Sequence, residues 1–174
     1  MSDKPFRVVP LDHTHDRSTF RSGSGPLDAY VKERVTQDIR RRITACFVAL
    51  SGDGRIAGYY TVASASVLVG DLPAELTKKL PRYPSIPAVR MGRLAVDQAF
   101  RGQGLAAALL ADALTRIARS EIGAYALVVD AKDEKAASFY RHHGFLQLAT
   151  KPLTLFLPLA TAPVPTSKHK SKSD

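Results

Sequence analysis

The segment from residue 89 to residue 110 constrains the fold of this chain more than any other part of the sequence. It reads as an apolar strand, a short loop that contains Gly102 and Gly104, and an alanine- and leucine-rich helix. The first amides of a helix have no intrahelical partner, and such amides bind phosphate groups. Because glycine has no Cβ, a ligand can approach this loop closely. The segment therefore predicts a strand–loop–helix unit that binds an anion.

The loop spacing excludes two common nucleotide-binding motifs. Residues 101–106, called the glycine loop below, read RGQGLA and fit the pattern Q/R-x-x-G-x-G/A. The GK[ST] ending of a Walker loop and the G-x-G-x-x-G fingerprint are both missing. A strand-to-helix turn whose glycines serve only the backbone is the alternative interpretation.

Two further segments add to this motif. Residues 93–97 read RLAVD and residues 136–145 read AASFYRHHGF. With the glycine loop, they make the chain resemble the GNAT superfamily of acetyl-CoA-dependent N-acetyltransferases. The resemblance implies an α/β fold in one domain, residues 1–162, with a mixed, mostly antiparallel sheet, a central parallel pair and flanking helices. Residues 163–174 are rich in Pro, Ser and Lys, which predicts a disordered basic tail.

The resemblance also implies an acetyl-CoA site. In the family, the strand hydrogen-bonds the pantetheine arm and the loop amides hold the diphosphate. The implied contacts are Leu94, Ala95, Val96, Arg101, Gly102, Gln103, Gly104, Leu105 and Ala106. A backbone amide within residues 94–96 is the expected oxyanion donor, and Gly92 is expected to mark a β-bulge that opens the acyl slot.

Tyr140 lies where the family's general acid falls, and the resemblance assigns it that role. A tyrosine with a pKa of about 10 is a weaker acid than a thiol with a pKa of about 8.5. Full proton transfer to the departing thiolate would then be uphill by about 2 kcal/mol, so a hydrogen bond to the sulfur matters as much. A tyrosine that only fills the core is the alternative interpretation.

The strand before the glycine loop contains no carboxylate base. Some protein-lysine acetyltransferases of this fold carry one there, whereas residues 89–96 offer Arg90 and Arg93. A lysine amine with a pKa of about 10.4 is protonated at neutral pH, while an α-amine near 7.7 is partly free. The site therefore favours an α-amine acceptor, and its arginines favour a phosphate-rich carrier.

The N-terminal part resembles the toxin-type GNATs, which acetylate the α-amine of aminoacyl-tRNA and block translation. The matching residues are Phe20, Gly23, Leu27, Asp28 and Tyr30, followed by a basic helix. Those toxins often carry Cys at the position of Ser22. The resemblance implies a homodimer, a ribbon-helix-helix antitoxin, and operator DNA bound only through the antitoxin complex. Candidate tRNA phosphate contacts are Arg34, Arg40, Arg41, Arg42, Lys78, Lys79, Arg82, Arg90 and Arg93.

Composition agrees with a polyanionic partner. The chain has 25 Lys and Arg against 16 Asp and Glu, a net charge of +9 at pH 7. A merely basic protein is the alternative.

No signal-peptide core and no run of 18 apolar residues occurs, which predicts a cytoplasmic protein without membrane contact. The histidines lack ligand spacing, so no metal is predicted, and Cys46 lies in an apolar run as a core residue would.

The rest of the sequence predicts the order of elements. Leu27, Val31, Val35 and Ile39 predict one buried helix stripe, and Asp53-Gly54 predicts a hairpin turn. Expected strands are 6–11, 43–50, 56–68, 89–96, 124–130, 145–148 and 153–157, with 124–130 parallel and central. Other expected helices are 71–80, 105–119 and 132–143, and prolines 81, 84 and 87 predict a stiff connector.

Two other functions stay open at this point. One is a GNAT that acetylates a small amine or a protein N-terminus, which needs no basic surface. The other is an inactive GNAT that serves as a CoA-binding or DNA-associated module.

Overall fold

Seven strands form one mixed sheet in the order β1-β2-β3-β4-β5-β7-β6. The computed structural model describes residues 6–160, so the predicted tail at 163–174 lies outside the described residues. The strands are β1 (Arg7–Pro10), β2 (Ala45–Leu50), β3 (Ile56–Leu68), β4 (Ser85–Val96), β5 (Ala126–Asp130), β6 (Leu146–Gln147) and β7 (Thr154–Pro158). Among the strands of residues 6–160, only β4 and β5 pair in parallel. The predicted fold class is confirmed.

The helices are α1 (Gly25–Ala29), α2 (Val35–Arg40), α3 (Ala74–Thr77), α4 (Leu105–Arg119) and α5 (Glu134–His142). A π-helical turn, Tyr30–Arg34, joins α1 to α2, and the Val35 amide donates to the Tyr30 carbonyl five residues earlier. A stripe that repeats every four residues drifts around an ordinary α-helix, and this wider turn compensates for the drift. Val31 and Val35 are therefore fully buried, as the stripe predicted.

The sheet separates two helical layers. On one side, called the α4–α5 face, Leu109 and Tyr140 pack over Met91 and Leu127 in the largest core cluster. On the other side, called the α1–α3 face, two smaller clusters form. Val31 and Val35 pack on Val48, Tyr59 and Ala95, and residues around α3 pack near Ile86, Ala88 and Val128. The strand alternation thus buries apolar side chains on both faces.

Strand β4 changes its partners along its length. It pairs with β3 from Ser85 to Val96, but with β5 only from Ala88 to Met91. The register with β3 shifts so that Arg93 opposes Thr61 and Met91 opposes Val62, which makes Gly92 the extra residue of a bulge. The predicted bulge is confirmed. Beyond Met91, no pairing joins β4 to β5 in the described chain, and the sheet opens there.

The helix expected at 71–80 and the connector expected around prolines 81, 84 and 87 are both shorter in the structure than predicted. The helix expected at 71–80 is reduced to α3, because Pro73 sits at its N-cap and a 3₁₀ turn, Val69–Asp71, precedes it. Strand β4 begins at Ser85 and therefore includes Pro87, whereas the sequence predicts Pro87 in the connector. Proline is tolerated because the Pro87 carbonyl still accepts from the Tyr125 amide, at 2.8 Å, and only an amide donor is lost.

Candidate functional site

A cleft of about 540 Å³ opens beside the unpaired end of β4. It is bordered by residues 20–24, called the N-terminal loop below, together with α1, and by the end of β4, the glycine loop and α5. The lining residues are Ser22, Ser24, Leu27, Leu94, Ala95, Val96, Arg101, Ala106, Lys132, Asp133, Lys135, Ala136, Phe139 and Tyr140. The fold therefore brings the glycine loop and the segment around Tyr140 to one cavity.

The glycine loop turns through two left-handed residues. Gly102 has φ 77° and Gly104 has φ 73°, and Gly104 is the N-cap of α4. A Cβ built on either glycine would meet no atom within 4 Å, so open space lies beside the backbone. No side chain of the described residues caps the N-terminus of α4. The first amides of α4 are thus accessible to an anion.

The predicted acetyl-CoA contacts occupy different positions around this loop. Leu94, Ala95, Val96, Arg101 and Ala106 line the cleft. Gly102, Gln103 and Gly104 are exposed on the loop. The Leu105 side chain is buried in the core beneath α4, so only its backbone faces the loop.

Tyr140 lies in the cleft wall on α5. Its side chain is 7% exposed and packs edge-on against Phe139, with ring centroids 5.3 Å apart. Burial raises the pKa of Tyr140 to about 12. The phenol is therefore protonated across the physiological pH range.

The Tyr140 hydroxyl differs from those of the other buried tyrosines. Those donate hydrogen bonds: Tyr30 to Asp38 at 2.8 Å, Tyr59 to the Leu27 carbonyl at 2.6 Å, and Tyr60 to Asp112 at 2.6 Å. No hydrogen bond joins the Tyr140 hydroxyl to another residue between 6 and 160. Within that range no buried side-chain oxygen lacks a partner, so this hydroxyl faces the open cleft. It is free to donate to a ligand.

Arg90 and Arg93 both point to the α1–α3 face. Residues three apart on a regular strand face opposite sides, but the bulge at Gly92 adds one residue and restores a common side. Arg90 forms an ion pair with Asp130 of β5, and Arg93 lies 3.3 Å above the centre of the Tyr30 ring. The described residues accept no hydrogen bond from the Arg93 guanidinium, which stacking holds in place.

The other basic candidates are exposed on the same face. Arg34, Arg40, Arg41 and Arg42 lie in the π turn, in α2 and just after it, and Lys78, Lys79 and Arg82 follow α3. Arg90 and Arg93 lie between these two groups, since Ala88 packs in the α3 cluster and Ala95 in the α1–α2 cluster. Within residues 6–160, Arg90 alone among the candidates has a carboxylate partner. The remaining candidates have no ion-pair partner among residues 6–160.

The sequence interpretation missed Asp97, which connects two parts of the site. Its side chain is 2% exposed and accepts hydrogen bonds from the Arg21 amide at 2.9 Å and the Ala99 amide at 2.8 Å. A signal was available, because an aspartate directly after a buried strand is a frequent turn-capping residue. Its link to the N-terminal loop crosses more than seventy residues of sequence, and no local pattern reveals it.

The described residues offer no metal site, reactive cysteine or membrane-spanning helix. No group of three or more His, Cys, Asp or Glu side chains between residues 6 and 160 is arranged to hold a metal ion. Cys46 is buried, and burial raises the pKa of its thiol to about 12, as expected for a core residue. No helix of this part of the chain is long and apolar enough to cross a bilayer.

Comparisons with known proteins agree with this geometry. Residues 42–147 match the acetyltransferase (GNAT) domain family. The chain is 36% identical over 160 residues to a tRNA-acetylating toxin of Mycobacterium tuberculosis, with 91% of this chain and 93% of the relative covered.

Solved toxin structures have the same fold. AtaT complexed with acetyl-methionyl-tRNAfMet superimposes with a TM-score of 0.84 at 29% identity, covering 89% of this chain and 95% of that one. AtaTR bound with acetyl-CoA gives 0.77 at 28% identity, with 90% and 95% covered. A mutant AtaT toxin bound to the C-terminus of the antitoxin AtaR gives 0.76 at 26% identity, with 90% and 94% covered. The chain therefore belongs to the GNAT acetyltransferase family and is similar in sequence and fold to its tRNA-acetylating toxins.

Proposed function

We propose that this protein transfers the acetyl group of acetyl-CoA to the α-amine of aminoacyl-tRNA and so blocks translation as the toxin of a toxin–antitoxin pair. The observation that carries the proposal is a cleft on one side and, outside the residues that line this cleft, a basic surface on the other. The glycine loop and the free Tyr140 hydroxyl border the cleft on the α4–α5 side. Basic side chains, of which only Arg90 has an ion-pair partner among residues 6–160, lie on the α1–α3 face.

Acetyl-CoA fits the first side. At residues 94–96, β4 pairs with β3 but has no β5 partner in the described chain, so the amides and carbonyls that point away from β3 are available to the pantetheine arm. The accessible amides of the glycine loop suit the diphosphate. The related AtaTR has been solved with acetyl-CoA, which supports the same cosubstrate here. The proposed chemistry needs no metal.

The reaction exchanges one bond for another. The amine nitrogen attacks the thioester carbonyl, the C–N bond forms, the C–S bond breaks, and the nitrogen releases a proton to solvent. A backbone amide within residues 94–96 is the proposed oxyanion donor. Because the pKa of Tyr140 is about 12 and that of a thiol about 8.5, full proton transfer to the sulfur would be uphill by about 5 kcal/mol. We therefore assign Tyr140 as a hydrogen-bond donor to the departing thiolate.

Aminoacyl-tRNA fits the second side. Arginine and lysine contacts to phosphate position a nucleic acid without reading its sequence, which suits the scattered basic residues around α2 and after α3. The N–H groups of Arg93 on this face donate to no residue of the described chain. The related AtaT binds acetyl-methionyl-tRNA, the product of such a transfer.

The antitoxin, the operator DNA and the homodimer are inferred from the similarity to these toxins. A mutant AtaT toxin binds the C-terminus of the antitoxin AtaR, and the AtaT–AtaR complex has been solved bound to DNA. We infer a comparable antitoxin for this chain, of the ribbon-helix-helix type, which would also carry it to operator DNA. A homodimer stays a prediction. A cytoplasmic location follows from the proposed acceptor, because charged tRNA is found there.

Labelled acetyl-CoA and bulk charged tRNA test the proposal directly. We expect label in aminoacyl-tRNA that mild alkali releases as N-acetyl amino acid. Deacylated tRNA and tRNA whose α-amines are already acetylated are the controls, and neither should take up label. Label that enters small amines or protein N-termini but never tRNA would reject the proposal. Failure to release CoA with any amine would favour an inactive binding module.

A further inference from the structure

The N-terminal loop (residues 20–24) is joined to the segment that leads into the glycine loop. The Asp97 carboxylate accepts hydrogen bonds from the Arg21 amide at 2.9 Å and the Ala99 amide at 2.8 Å. The Gln98 amide donates back to the Arg21 carbonyl at 2.8 Å. Both backbone polar groups of Arg21 are thus held by residues that immediately precede the glycine loop.

A second set of contacts reaches the glycine loop itself. The Arg101 guanidinium donates a hydrogen bond to the Ser22 carbonyl. Gly23 has φ 93°, and a Cβ built on it would lie 2.8 Å from Gln98 Nε2 and 3.0 Å from an Arg101 guanidinium nitrogen. A residue with a Cβ would be strained in this backbone conformation, and the ends of the two side chains would have to move away from it.

The N-terminal loop is itself fixed to the core. Phe20 is 1% exposed, and its ring lies 5.4 Å from that of Tyr59. The Ser22 hydroxyl donates to Asp28 of α1 at 2.6 Å. The loop therefore forms a rigid support, whereas residues 101–104 are exposed and have no side chain in the core.

We propose that Asp97 is a positioning residue that braces the glycine loop against the N-terminal loop, so that residues 20–24 form part of the acetyl-CoA site. A loop held in its binding conformation loses less conformational freedom when a ligand binds, and its affinity is higher for that reason. The proposal gives a physical role to the spacing between Phe20 and Gly23. It rests on the proposed function only in taking acetyl-CoA as the ligand.

The variant Asp97→Asn tests the brace. Asparagine offers one acceptor oxygen, so its NH₂ group would face one of the two amides that the carboxylate now satisfies. We expect the dissociation constant of CoA, from isothermal titration calorimetry, to rise about tenfold, the loss of one charge-assisted hydrogen bond. The KM for acetyl-CoA should rise by a similar factor, and kcat at saturating acetyl-CoA should fall less than about threefold.

Tyr60→Phe is the matched control. It removes a buried hydrogen bond to a carboxylate, that of Asp112, which does not line the cleft. Its thermal stability should fall, with CoA affinity unchanged. Equal weakening of CoA binding in both variants would show a general stability effect and overturn the brace.

Gly23→Ala perturbs the same contact from the other loop. We expect Gly23→Ala to raise the dissociation constant of CoA. In the double variant with Asp97→Asn, this constant should rise by less than the product of the two single-variant factors, because both substitutions act on one contact between the loops. Multiplicative effects would overturn the proposal. Gly23→Ala alone carries the test if Asp97→Asn does not fold.

CoA titration also separates this inference from the proposed function. Wild-type protein that binds CoA while Asp97→Asn binds it equally well would overturn the brace alone. Wild-type protein that does not bind CoA would overturn the cosubstrate assignment together with the brace.

Discussion

The two faces of the sheet meet at one cleft but are built in opposite ways. On the α4–α5 face, the proposed ligand surface consists of backbone amides, glycines and one hydroxyl that faces the cleft, that of Tyr140. On the α1–α3 face, it consists of long, exposed, charged side chains from separate elements. A ligand can come close to the backbone only where small residues stand at fixed spacing, whereas a flexible arginine side chain can reach a phosphate from many positions. The first kind of surface leaves a motif in the sequence and the second does not.

The largest effect should come from Tyr140→Phe on the α4–α5 face. The hydroxyl has no partner within the described chain, so its removal should leave stability nearly unchanged. We expect kcat to fall by about 100-fold or more, because the leaving thiolate loses its hydrogen-bond donor. Rates at saturating acetyl-CoA, with calorimetric CoA binding as the control, measure this. Nearly full turnover would remove Tyr140 from the mechanism.

A pair of glycine variants isolates ligand approach from backbone strain. Gly104 and Gly54 both have positive φ, 73° and 80°, and an added Cβ meets nothing within 4 Å at either position. Gly104→Ala and Gly54→Ala should therefore lose similar stability. Only Gly104→Ala should weaken CoA binding, by at least about tenfold, because its methyl group occupies the space beside the diphosphate. Equal affinities would refute the assignment of the glycine loop.

The pH dependence of the rate distinguishes the acceptor amine, bound from the α1–α3 side, from the Tyr140 donor on the α4–α5 face. The acceptor amine, with a pKa at or below about 7.7, must be neutral, so kcat should rise about tenfold for each pH unit well below that pKa. Burial raises the pKa of Tyr140 to about 12, so the donor stays protonated and the rate should stay flat to about pH 10. Initial rates corrected for spontaneous ester hydrolysis test this. A falling limb near pH 9 to 10 would contradict the burial of the donor.

The smallest effect should come from Arg42 on the α1–α3 face. Arg42 follows α2 with φ 59°, a left-handed conformation that favours glycine. Arg42→Gly should stabilise the fold by about 1 kcal/mol, observed as a higher Tm. It should also lower the slope of log K against log salt for tRNA binding by about one, with CoA binding unchanged. Arg42→Lys, which keeps charge and strain, is the control, and an unchanged slope in the glycine variant would exclude Arg42 from the tRNA surface.

The sequence predicted most of the fold because its signals are local. The Asp53-Gly54 turn, the apolar run of β5 and the stripe of Val31 and Val35 each depend on near neighbours, and all three predictions are confirmed. The predictions failed where tertiary contacts override propensity. Pro87 enters a strand because only its carbonyl takes part in pairing to Tyr125, and the π turn before Val35 has no signature in residue type.

The sequence alone determined which residues can form the glycine loop and which family the chain resembles, because a loop without side chains requires glycine at set positions. Only the tertiary structure decided that Arg90 and Arg93 share a face, since that depends on where the bulge at Gly92 falls in the register with β3. It also decided that Asp97 holds the N-terminal loop, a contact between segments distant in the chain. Local geometry is set by neighbours in sequence, while the meeting of two surfaces at one cleft is set by how the whole sheet packs.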